Sequence, residues 1–128
     1  MIEGAIDHPE NYIKEEKMNY YIYLDDIRED DSYFNKYFSR KEWIPFIVRN
    51  YCEAVEVIEK FFLEDRIFLD LDHDLGFDDD NEELNGYDFC KYIIQKNISP
   101  YKFHIHSMNP VGAMNMRQLL IHYGWQEV

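Results

Sequence analysis

The stretch IFLDLDHDLGFDDD (67–80) joins the two halves of the problem this chain poses. It starts inside RIFLDLD (66–72), a nearly continuous apolar run of the kind found in a central parallel strand covered on both faces. Its far end then carries Asp70, Asp72, His73 and Asp74 almost in contact along the chain. Charge gathered where a strand leaves its core is costly, so it needs a physical reason.

On either side of this strand, apolar patterns of period two alternate with patterns of helical period. NYYIYLDD (19–26) is aromatic and β-branched and stops at Asp25 and Asp26, as a strand running into a loop. WIPFIVRN (43–50) is a second strand, and Pro45 assigns it to a sheet edge. Ala54, Val55, Ile58, Phe61 and Phe62 have the spacing of an amphipathic helix, and Asn85-Gly86 opens a second one through Tyr87, Phe89, Cys90, Ile93 and Ile94. YKFHIHS (101–107) is a further strand; Asn109 as N-cap and Pro110 at the first helical position then begin a third helix, which Gly124 closes. WQEV (125–128) adds a short last strand. Between the first two strands, REDDSYFNKYFSRKE (28–42) is a polar connection with room for a short helix at most.

This alternation predicts a single α/β domain over 18–128, a three-layer sandwich with a mostly parallel five-stranded sheet whose first helix is short or missing. Residues 1–17 are expected to be an extension, and the acidic run 78–83 a solvated loop. At 128 residues and 46% hydrophobic the chain supports one core. Its formal charge of -13 argues against a grip on duplex nucleic acid through the phosphates. Cys52 and Cys90 fall on helical apolar positions with no CxxC spacing, so core packing is expected rather than zinc or redox chemistry. Nothing in 1–17 forms a signal-peptide apolar core, and no run has the length of a membrane span, so a cytoplasmic location is expected.

In an open parallel sheet, ligands bind outside the carboxyl ends of the strands. That rule sends Asp25, Asp26, Asp72, His73, Asp74, His106, Ser107 and Asn109 to one edge. Clustered carboxylates raise each other's pKa and cost folding free energy unless a cation joins them. Asp25, Asp26 and Asp72 suit a hard divalent ion, Mg²⁺ being the expected one, shared with a substrate phosphate; the bland alternative is that Asp25 and Asp26 only cap the following turn. His73 and His106, with Asp74, are the candidates for acid and base work. Ser107, Asn109 and the helix start at Pro110 suit a phosphate oxygen, and Arg28 can orient a phosphate or pair with an aspartate. His104 is expected to be structural, and the 11 tyrosines to fill core and surface more simply than to stack on bases.

Two motif matches fail. Asp70, Asp72 and Asp74 start a calcium-loop pattern, but the glycine is one place late at Gly76 and Asn81 stands where a glutamate belongs. The strand-borne D-x-D also resembles haloacid-dehalogenase phosphatases, for whose remaining elements the chain has no room.

The acidic pair after the first strand and the aspartate ending the central one resemble the receiver domains of two-component signalling, with a flavodoxin-like fold. The last strand, however, brings no lysine, which weighs against a phospho-accepting receiver. More specifically, YLDDIR (23–28), LDHDLG (71–76), GYD (86–88) and HSMNPVGAMNM (106–116) together resemble the cyclic-phosphate processing receiver-like family, over about residues 20–125. The resemblance implies action on a cyclic phosphate of a nucleotide or an RNA end, and by position it adds Asn115 to the substrate-binding set of Arg28, Ser107 and Asn109. The expected function is a metal-assisted phosphoesterase opening a cyclic phosphodiester. Its rival is a non-catalytic module that binds or sequesters a nucleotide, or binds a partner protein, through the same edge.

Overall fold

The computed structural model describes residues 17–62, 64–76 and 83–128. The extension 1–17, apart from Lys17, and the acidic loop expected at 78–83, apart from Glu83, lie outside the described residues. Five strands, β1 (Asn19–Leu24), β2 (Ile44–Val48), β3 (Arg66–Leu71), β4 (Lys102–Ile105) and β5 (Gln126–Glu127), form one sheet in the order β2-β1-β3-β4-β5. Every pairing is parallel. Among the described residues the helices are α1 (Ser32–Tyr37), α2 (Tyr51–Ile58), α3 (Gly86–Gln95) and α4 (Pro110–His122). The first helix is therefore short but present.

Local chemistry explains the boundaries. Asn50, Asn85 and Asn109 each accept a backbone N–H from the first turn of the helix they precede, and at Asn85 the Asp88 carboxylate closes a capping box. Pro45 sits in edge strand β2, as expected of a residue that cannot donate to a ladder.

Alternation along the strands gives the sheet two unlike faces. Ile22, Leu24, Ile67, Leu69, Leu71 and Phe103 point to one side and form the main core with Ala54, Ile58, Phe89, Ile93, Met116 and Leu120 of α2, α3 and α4. Cys90 is buried in this core, while Cys52 is half-buried. Tyr21, Tyr23 and Phe68 point to the other side and pack with Phe34 of α1 and Trp43. No helix among the described residues is long and apolar enough to cross a membrane.

The parallel ladder continues one residue past the strand ends. Asp25 N donates to Val48 O, Asp72 N to Leu24 O, and His106 N to Leu71 O, at 3.1, 2.9 and 2.9 Å. Three neighbouring strands thus present Asp25, Asp72 and His106 side by side.

Candidate functional site at the carboxyl edge

The chain leaves β1 toward β2 on one side and β3 on the other, so the edge between β1 and β3 is the topological switch point. Asp25, at 1% exposure, is the hub there. Its Oδ1 accepts from Ile27 N and Arg28 N at 2.9 and 2.8 Å, and its Oδ2 from Arg28 Nε at 3.1 Å, with His106 Nε2 at 3.0 Å. Burial works against the charged carboxylate, but these donors outweigh it and hold the Asp25 pKa below its ordinary value.

His106 is held at both ends. Its Nδ1 lies 2.6 Å from Asp70 Oδ1 and its ring stacks on Tyr23 at 4.7 Å. Burial of the ring lowers its pKa, but the hydrogen bond and charge of Asp70, with the bond to Asp25, more than compensate, so the pKa is raised. Asp70 is itself buried, and its second oxygen accepts from the Tyr21 hydroxyl. Asp70 and Tyr21 are the site residues that sequence reasoning passed over. The signal was present in the sequence: an aspartate interrupting an apolar central strand, two residues from Phe68 and therefore facing the same side.

His73 has a carboxylate of its own. Its Nδ1 is 2.9 Å from Asp74 Oδ1; because a carboxylate only accepts, the proton belongs on Nδ1 and the lone pair on Nε2. The His73 bond holds the Asp74 pKa below its ordinary value. Two close approaches fix this region. A Cβ on Gly112 would meet the His73 ring at 2.3 Å, and one on Gly86 would meet the Asp72 carbonyl oxygen at 2.2 Å. The start of α4 lies flat on the histidine, and α3 begins against the backbone of Asp72.

Asn109 does two jobs, accepting from Gly112 N with its oxygen and turning its amide nitrogen toward Asp74 at 3.3 Å. Ser107 Oγ accepts from Asn109 N at 3.0 Å. Most of the donors expected to face a phosphate at this helix start are therefore already taken within the chain. Asn115 is exposed further along α4, outside this hydrogen-bonded network.

The oxygen-rich group is slightly different from the expected Asp25, Asp26 and Asp72. Ligand atoms of Asp25, Asp72 and His106 lie within 4.8 Å of one another, the one such group among the described residues. Asp72 is 8% exposed, and while its Oδ1 accepts from His73 N, no protein donor among the described residues reaches its other oxygen. A buried carboxylate oxygen with no donor among the described residues, beside a second carboxylate, fits a cation. Asp26 borders the group: burial, then the charges of Asp25, Asp72 and Asp74, raise its pKa.

On the α1 side of His106 a cleft of about 340 Å³ opens, lined among others by Arg28, Tyr33, Lys36, Tyr37, Asp70 and His104. His104 stacks flat on Tyr33 at 4.2 Å.

An all-parallel sheet in this order, with acidic side chains at its carboxyl edge, defines a receiver-like α/β domain. Residues 20–122 match the family described as the cyclic-phosphate processing receiver domain, and the chain belongs to that family. No curated protein matches it. Among solved structures, it is similar to a chain described as a trimeric coiled-coil segment of yeast Spc42, amino acids 181–211, fused to another structure, at 19% identity and a TM-score of 0.54. That likeness covers 88% of this chain and 67% of the other and bears on the fold alone.

Proposed function

We propose that the chain is a hydrolase that opens a cyclic phosphodiester of a nucleotide or an RNA end by addition of water. The observation that carries this reading is the pair of carboxylate-backed histidines, Asp74 with His73 and Asp70 with His106, at one sheet edge of a domain whose family is described by cyclic-phosphate processing. His73, with its Nδ1 proton directed to Asp74, keeps Nε2 free to take a proton from the attacking water. As the P–O bond to the ring oxygen breaks, His106 gives that oxygen the Nε2 proton it otherwise directs to Asp25, while Asp70 holds the opposite nitrogen. The product is a phosphomonoester with a freed hydroxyl. Arg28, anchored on Asp25 through Nε, turns its terminal nitrogens to the phosphate, with the Ser107 hydroxyl on the α4 side, while Asn109 holds Asp74 in place.

Asp25 and Asp72 would hold a divalent cation, Mg²⁺ by their hard oxygen donors, with Asp26 beside them and His106 at the margin. When bound, the cation supplies neutralisation and polarisation of the phosphate.

The test is incubation of the purified protein with 2′,3′-cyclic nucleotides, 3′,5′-cyclic nucleotides and a cyclic dinucleotide, in Mg²⁺ or in EDTA, with products separated by chromatography. Ring opening lost in EDTA is the expected result. Depletion of a ligand that is recovered intact after denaturation would replace the hydrolase with a binding module on the same edge.

A further inference from the structure

The cleft on the α1 side is unlike the rest of this surface. In a chain of net charge -13, its rim carries Arg28 and Lys36, and its wall carries His104 and His106. Arg28 is anchored through Nε alone, so its terminal nitrogens have no protein partner among the described residues. Of the two carboxylates in the lining, Asp70 is engaged by Tyr21 and His106, and Asp30 by Ser32. The open terminal nitrogens of Arg28, with Lys36 on the same rim, give an anion hydrogen-bond donors at this place in a chain that is otherwise strongly negative.

The remaining wall is aromatic. Tyr33 lies flat on His104, Tyr37 tilts against Tyr33 at 4.7 Å, and Tyr37 is 59% exposed although it is a large ring beside a cavity. Such rings at the mouth of a polar cleft form a stacking surface for a flat heterocycle. The volume, about 340 Å³, is at the small end of ligand sites and takes one nucleoside rather than two.

We propose that this cleft is the nucleoside subsite of the hydrolytic centre, and that the substrate is a cyclic mononucleotide whose base stacks on Tyr33 and Tyr37 while its phosphate lies between Arg28 and His106. This rests on the hydrolase reading for the chemistry but not for the binding. Stacking accepts the face of any base, so the subsite discriminates nucleotides from other cyclic phosphates more than one base from another.

The experiment is calorimetric binding of a 2′,3′-cyclic mononucleotide to the full chain in Mg²⁺, against a base-free cyclic glycerophosphate and a short oligoribonucleotide ending in the same cyclic phosphate. The mononucleotide should bind about tenfold or more tightly than the base-free ester, a preference that Tyr33→Ala and the more exposed Tyr37→Ala each erode about tenfold and Tyr33→Phe restores. Equal binding of nucleotide and base-free ester, retained preference in both alanine variants, or tighter binding of the oligoribonucleotide would overturn the subsite. The two readings fail separately: nucleotide bound but recovered unopened removes the hydrolase and keeps the cleft, while opening of nucleotide and base-free ester at equal rates keeps the hydrolase and removes the cleft.

Discussion

The two faces of the sheet divide the work of the molecule. The face toward α2, α3 and α4 is apolar throughout, built on residues such as Leu69, Phe89 and Leu120 that are wholly buried. Among the described residues, the face toward α1 has one helix of six residues over it, and its strands carry Tyr21, Tyr23, Asp70 and His104 in place of aliphatic side chains. A polar group under a long helix would have to be matched completely by partners within the chain. Under a short one, it remains within reach of a ligand. Among the described residues, the chemistry lies on the face that carries the thinner layer.

Crossing substitutions between the faces should separate their roles. On the α1 face, His106→Ala is expected to lower turnover of the cyclic phosphate by about 100- to 10,000-fold, the usual range for an acid–base group, while urea unfolding stays cooperative. On the other face, Leu69→Ala should cost about 2–5 kcal/mol of stability, read from the urea midpoint. Below its unfolding transition that variant should keep its turnover number. Loss of turnover in folded Leu69→Ala, or unimpaired turnover in His106→Ala, would break the division.

The covered face was legible in the sequence because it is local and periodic. RIFLDLD, the apolar stripe from Ala54 to Phe62, and the Asn109-Pro110 helix start each state their structure within a few residues. The carboxyl-edge rule likewise places Asp25, Asp72 and His106 on three adjacent strands. The α1 face was less legible. SYFNKY is too short for helical periodicity to be read, so its tyrosines passed for filler. Asp70 meets Tyr21 and His106, which lie 49 and 36 residues away, and neither pairing leaves a pattern along the chain. His106 meets Asp25 across 81 residues. Such contacts follow from strand order, which pattern alone leaves open.

A smaller effect should appear in the pH dependence of stability, measured in EDTA. The His106 pKa is raised above the ordinary value of 6.5, so its contribution is complete below that pH and is lost as pH rises through the folded pKa. The Asp25 pKa is lowered from 3.8, so its contribution is complete above that value and is lost as pH falls through the folded pKa. Stability in urea should therefore be greatest between about pH 4 and 6.5 and decline on the alkaline side. In His106→Gln that alkaline decline should flatten, whereas a core variant such as Leu69→Ala should keep it at a lower overall level. An unchanged alkaline slope in His106→Gln would assign the pH dependence to another group.

The smallest effect tests where the two faces meet, at the start of α4. Asn109 caps the helix through Gly112 N and also reaches Asp74, the carboxylate that orients His73. Asn109→Ala removes both contacts, and the cap alone is worth about 1 kcal/mol. Asn109→Asp keeps a capping oxygen and, at a helix N-terminus, its charge is favourable there. That same charge faces Asp74 without a donor. Stability should therefore fall in Asn109→Ala and be largely recovered in Asn109→Asp, while turnover falls in both. If turnover followed stability and returned with the aspartate, Asn109 would be only a cap, and the link from α4 to His73 would run through the contact of Gly112 with the ring alone.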